Sequence, residues 1–181
     1  MEKVIQFIKY SISGKLIIFN LIIFVFIHFL LQTNPNLAYY LFYNIPWLLS
    51  PWIILSNFAH KEIFHILMNL YWLYLLWPII ERISGSRIYI KLIIFSMFFN
   101  ILWVQFFSSN STLWFSWILM GFLSFMFFKY KYELWAFKEQ LWFILILNIL
   151  IGLIPGVSLV WHISWAFWWY IYAIILNKLW K

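Results

Sequence analysis

Cysteine and aspartate are both missing from the 181 residues. The first absence excludes disulfides, thiolate metal sites and a cysteine nucleophile. The second, with only 5 glutamates left to supply carboxylates, removes the means to build a carboxylate metal cage, and no cofactor or metal is expected. Charge is scarce as well, at 9% of residues against about 25% in soluble domains. Hydrophobic residues fill the gap at 66%, where about 45–50% is usual. A chain this apolar cannot cover its surface with polar groups in water, so its solvent must be lipid. A bilayer-spanning helix takes about 20 apolar residues. Six of them leave room only for short connections.

The net charge of +7 comes from 12 scattered lysines and arginines. No basic patch interleaved with exposed aromatics is present, which argues against nucleic-acid binding. Lys3, Lys9 and Lys15 precede the first apolar run. No small-residue cleavage site follows it, so no cleavable signal peptide is expected.

Six apolar segments can be marked, at about 16–31, 63–80, 88–107, 113–128, 141–154 and 157–176. Each must be helical, because backbone in hydrocarbon has to satisfy its own hydrogen bonds. The last two are parted only by Pro155 and Gly156, a turn pair. The long connection, about 32–62, holds Tyr39, Tyr40, Pro46, Trp47, Pro51 and Trp52. Aromatics of that kind suit a segment lying in the membrane interface. The expected fold class is an all-α membrane protein, a single six-helix bundle over 1–181.

Charge gives the direction. Lysines and arginines gather at the N-terminus (Lys3, Lys9, Lys15), at Arg82 and Arg87, at Lys129, Lys131 and Lys138, and at Lys178 and Lys181. Of the alternate loops, only the first carries one, Lys61. The positive-inside rule then places both termini in the cytoplasm of an integral membrane protein, with the plasma membrane of a bacterium as the expected setting.

Polar side chains inside a membrane are costly and point to function. His65 and Asn69 are four apart near the outer end of the second segment and share a helical face. Ser116 lies one turn into the fourth segment, which enters from outside. His162 lies about a turn and a half into the sixth, which also enters from outside. At about 1.5 Å per residue, all four residues fall in the outer leaflet at similar depth. A serine and a histidine there can act as nucleophile and base, and a neighbouring histidine and asparagine can supply oxyanion donors. The bland alternative remains open at this point. A lone serine in a helix ordinarily bonds its own backbone carbonyl, and a lone histidine can serve packing. His28, with no partner at an evident matching depth, reads as packing.

At these residues the sequence resembles the rhomboid family of intramembrane serine proteases. The stretch from His60 through His65 and Asn69 to Glu81, Arg82, Gly85 and Ser86 is similar to the family's second-helix pattern, H-x4-H-x3-N followed by E-R-x-x-G-S. Ser50-Pro51-Trp52 and Asn57-Phe58-Ala59 resemble the family's approach to that helix. Trp114-Phe115-Ser116-Trp117 stands where the family has G-x-S-G, and His162 stands in place of the sixth-helix histidine. The resemblance covers about 45–175. It implies a six-helix rhomboid-like bundle that cleaves transmembrane protein substrates, with Ser116 as nucleophile, His162 as general base, and His65 and Asn69 as oxyanion stabilisers. The alternative is an inactive rhomboid-like protein that binds membrane proteins. A transporter would want inverted repeats or broken midplane helices, and neither is evident in the sequence.

Five family glycine positions, 77, 114, 117, 165 and 169, all carry tryptophan here. Random decay would scatter over alanine, serine and valine. The chain also has 14 Trp against 5 Gly, and 10 Lys against 2 Arg, as an AT-rich gene would give. The pattern fits a UGA codon that its own lineage reads as glycine, translated here as tryptophan. The gene should therefore carry UGA at these five codons, and UGG at them would refute the reading.

Overall fold

The computed structural model describes residues 2–75, 77–108 and 111–113, together with Phe125, Glu139, Trp142, Phe143, Ile146, Leu150 and Ile174. By packing, the chain divides into two units, Met1–Ile118 and Leu119–Lys181. Almost all described residues belong to the first. The expected fourth, fifth and sixth segments lie almost wholly outside the described residues.

In the first unit, α1 (Glu2–Tyr10) leads into α2 (Ile12–Thr33), and the short α3 (Pro35–Phe42) follows. A 3-10 helix (Pro51–Asn57) precedes α4 (Ile63–Leu75), α5 (Trp77–Ser84) and α6 (Ser86–Phe107). Among the described residues, α2 and α6 are each long and apolar enough to cross a membrane. At 22 residues each, they reach about 33 Å, enough for a hydrocarbon core of about 30 Å. Ile22, Val25 and Phe29 of α2 and Ile94 and Phe98 of α6 are exposed, as a lipid-facing surface requires.

The second apolar run differs from the continuous helix expected at 63–80. It is a bent pair, turned by 41° between Ile63–Leu75 and Pro78–Ser84. Pro78 supplies the cause. Proline has no N–H to donate to the carbonyl four residues back, and its ring clashes with that carbonyl, which belongs to Tyr74. The first run is longer than expected, because Ser11 caps it early by accepting from the Gly14 N–H at 2.8 Å. Gly14 also permits close approach: a Cβ there would lie 2.6 Å from the Ile8 Cα and the Phe7 carbonyl oxygen. The connection at 32–62 contains α3 and the 3-10 helix, and it exposes Trp47, Leu49 and Trp52. Trp47 has φ +64°, the left-handed region that favours glycine and costs other residues about 1–2 kcal/mol.

Long-range hydrogen bonds fix how the helices run. At one end the Glu81 carboxylate accepts from the Ile12 N–H at 3.0 Å, the Ser13 N–H at 3.3 Å and the Ser13 hydroxyl at 3.0 Å. With Ser11 on Gly14, the first three N–H groups of α2 are all satisfied, and a carboxylate sits at the positive end of the helix dipole. Since the Ser13 hydroxyl donates to Glu81, the Tyr89 hydroxyl, 2.9 Å away, donates to Ser13. Both Ser13 and Tyr89 are fully buried. At the other end, Asn100 Nδ2 of α6 donates to Asn57 Oδ1 at 2.6 Å. His28 of α2 lies between the carbonyls of Phe24 (2.8 Å) and Lys61 (3.0 Å). His28 therefore has a partner, contrary to the expectation, and ties α2 to the turn before α4. The start of α2, the end of α5 and the start of α6 thus meet at one end. The end of α2 meets the turn before α4 at the other, so successive runs are antiparallel.

This network carries a measurable consequence. Glu81→Ala leaves three donors without their acceptor, and hydrogen bonds to charged groups are worth about 1.5–3 kcal/mol each. Thermal unfolding in detergent should show a loss of at least about 3 kcal/mol, with Tyr89→Phe milder. An unchanged Tm for Glu81→Ala would contradict the assignment.

Candidate active site

The candidate residues lie where the chain turns from the 3-10 helix into α4. Ser50 caps the 3-10 helix by accepting from the Trp52 N–H at 3.2 Å, and Pro51 occupies its first position, where no N–H is needed. The segment ends at Phe58, whose N–H donates to the Leu55 carbonyl. Residues 58–62 then turn into α4, and the Ile66 N–H donates back to the Glu62 carbonyl at 3.1 Å. His65 sits in the first turn of α4 and Asn69 one turn on, about 6 Å along the axis.

His60 is fully buried inside that turn, and Asn69 is 4% exposed. The His60 Nδ1 lies 3.1 Å from the Phe58 carbonyl oxygen, and its Nε2 lies 2.8 Å from Asn69 Nδ2. The His65 ring meets the His60 ring edge to face, with centroids 5.0 Å apart. Burial pushes the His60 imidazole down from its ordinary value to about 3, with the His65 ring acting in the same direction. His60 is therefore neutral at physiological pH, with one ring nitrogen protonated and one bare.

Neighbouring polar contacts brace the turn from α6. Asn100 holds Asn57 at 2.6 Å, and Asn57 Nδ2 reaches the Ile54 carbonyl at 3.3 Å. Five residues beyond Asn100, the Gln105 Nε2 donates to Asn44 Oδ1 at 2.8 Å and to the Ile45 carbonyl at 2.7 Å. Asn44 in turn exchanges two backbone hydrogen bonds with Thr112, each 3.0 Å. These contacts pair Asn57, Asn100, Asn44 and Gln105 away from water, while Asn44 Nδ2 and Asn100 Oδ1 have no hydrogen-bond partner among the described residues.

Of the four expected site residues, His65 and Asn69 are placed on one side of α4, beside His60. Ser116 and His162 lie outside the described residues, as do Trp114, Trp117, Trp165, Trp169 and the side chain of Trp77. His60 stood in the sequence motif without an assigned role. Its signal was a buried-type polar residue just before a helix carrying Asn69, but the nine-residue separation matches no helical period. Asn57, Asn100, Asn44 and Gln105 gave no local signal, because each pair is 43 or more residues apart. Among the described residues, no group of three or more His, Cys, Asp or Glu is placed to hold a metal ion.

The apolar spans and the paired polar groups at their ends define an integral membrane protein in contact with the lipid bilayer, built as a helical membrane bundle. The family model described as Rhomboid domain matches residues 47–178, well over half of the chain, and the chain belongs to the rhomboid family. Members of that family are generally intramembrane serine proteases. No curated protein and no solved structure matches the chain.

Proposed function

We propose that this chain is an intramembrane serine protease that cleaves transmembrane protein substrates through a Ser116–His162 dyad, within a six-helix bundle spanning 1–181. The observation that carries the reading is the anchoring of Asn69. A buried asparagine with its amide held by a hydrogen-bonded histidine is a preorganised donor, the kind that stabilises developing charge without reorganising. The family membership supplies the reaction class.

In this reading His162 takes the Ser116 hydroxyl proton as the oxygen attacks the substrate carbonyl. His65 and Asn69 stabilise the resulting oxyanion. Collapse breaks the C–N bond, His162 returns the proton to the leaving amine, and an acyl-enzyme remains. Water, deprotonated by His162, then hydrolyses the ester and regenerates Ser116. The chain has no aspartate, so no aspartate orients His162.

A second reading has its own observation. Trp117, Trp165 and Trp169 stand where the family has glycines, and small residues are what let membrane helices approach closely. With tryptophan translated as written, helices four and six stay apart, and the protein is an inactive rhomboid that binds membrane proteins.

Cleavage of a transmembrane substrate by purified protein separates the two. Ser116→Ala and His162→Ala should each abolish it. The double variant should lose no more, because nucleophile and base act as a unit. Asn69→Ala should lose about 10²–10³-fold in turnover, and His28→Ala should lose much less, since it loosens the tie to the turn before α4 without removing a reacting group. Full activity in Ser116→Ala would refute the dyad. No cleavage by either the chain as written or its form with glycine at the five Trp positions would favour the inactive reading.

The reading also places both termini in the cytoplasm, of a bacterial cell, and position 110 outside. The native chain has no cysteine, so Asn110→Cys gives a single thiol. An impermeant thiol reagent should label it from outside intact cells, and labelling only after the membrane is opened would reverse the topology.

A further inference from the structure

Three atoms in the turn before α4 set the polarity of everything bonded to them. The Phe58 carbonyl oxygen can only accept a hydrogen bond. The His60 Nδ1 faces it at 3.1 Å, so Nδ1 must carry the proton. In the neutral ring Nε2 is then bare and can only accept. The group facing Nε2 at 2.8 Å is the Asn69 amide, and its nitrogen, rather than its oxygen, must be the end turned toward it. The reversed arrangement would set the Asn69 oxygen against a bare ring nitrogen and leave a buried acceptor unpaired, a cost of about 1–3 kcal/mol.

We infer that His60 is a positioning residue: the Phe58 carbonyl fixes its Nδ1–H tautomer, and that tautomer fixes which end of the Asn69 amide faces the ring. With one Asn69 N–H committed to His60, the second N–H leaves the planar amide at about 120° to the first, in a direction set by the chain Phe58–His60–Asn69. The inference deepens the protease reading, and rests on it only in making that second N–H an oxyanion donor. It differs from a packing role for His60, because a packing histidine works in either tautomer. His65 packs edge-on against the His60 ring and does not stand between it and either partner. Burial in the turn keeps the ring neutral, which preserves the single donor and single acceptor that the relay requires.

The tautomer can be read directly and does not depend on activity. Protein labelled with 15N in its 4 histidines, in detergent micelles at pH 7, should show one ring protonated at Nδ1 and bare at Nε2. That signal should vanish in His60→Gln, which assigns it. In Asn69→Leu the bare Nε2 resonance should shift, having lost its donor. In Asn69→Asp the bare nitrogen would face a carboxylate, so His60 should take a second proton and give an imidazolium signature. A His60 protonated at Nε2 in the native protein overturns the inference, as does a His60 signal unmoved in both Asn69 variants.

The activity arm tests the consequence. His60→Leu should lower kcat about as much as Asn69→Leu, roughly 10²–10³-fold, with KM little changed. The double variant should lose little more. His60→Gln, whose amide can donate to Phe58 and accept from Asn69, should recover most of the loss. If the native protein cleaves and His60→Leu retains full kcat, the positioning role is refuted while the protease reading stands. If the native protein does not cleave, the protease reading fails, and the nitrogen signals still decide the tautomer.

Discussion

Lipid offers no hydrogen bonds, so a polar group carried into the bilayer is costly unless another part of the chain meets it. That constraint shapes the frame of α2, α4, α5 and α6. The apolar side chains cannot hold these helices in register, since lipid tails solvate leucine and phenylalanine as well as a neighbouring helix does. Polar pairs do so instead. Glu81 closes the exposed N–H groups of α2 and, through Ser13, reaches Tyr89 of α6. Asn100 of α6 reaches Asn57, and His28 of α2 reaches the Lys61 carbonyl. One set fixes one end of the frame and the other set fixes the opposite end.

The candidate site depends on this frame. Asn69 and His65 are on α4, whose start is held by the turn containing His60. That turn is held from α6 through Asn57 and Asn100, and the loop before it is held by Gln105. The bend at Pro78 serves the same arrangement. It departs from the axis of α4 just before Glu81, whose carboxylate ends under the start of α2. Gly85, with φ +78°, then turns the chain into α6, a backbone conformation that a side chain rarely adopts.

Much of the frame was legible because apolar run length is a strong signal in a membrane protein. The extents of α2 and α6 follow from it to within a few residues. The break in the second run was not, although Pro78 stood in plain view, since an apolar run on either side of a proline reads as continuous. The helices inside 32–62 were also hidden, because aromatic content marks an interface and says little about local conformation. Within the site, the pairing of His65 with Asn69 follows from helical spacing alone. The bond between His60 and Asn69 does not, as it crosses a turn that breaks the period. Ser116 and His162 rest on shared depth and on the family pattern. Trp47 is a separate backbone observation: its φ of +64° is a conformation natural to glycine, as the UGA reading of the five other tryptophans would lead one to look for.

The central claim is that Ser116 is an activated nucleophile with His162 as its base. The most direct test is site-resolved labelling with a fluorophosphonate, which reacts only with a serine whose proton is being taken. The account predicts a single adduct on Ser116, lost in His162→Ala and strongly reduced in Asn69→Ala. An adduct on Ser124, or labelling of Ser116 that persists unchanged in His162→Ala, would contradict it.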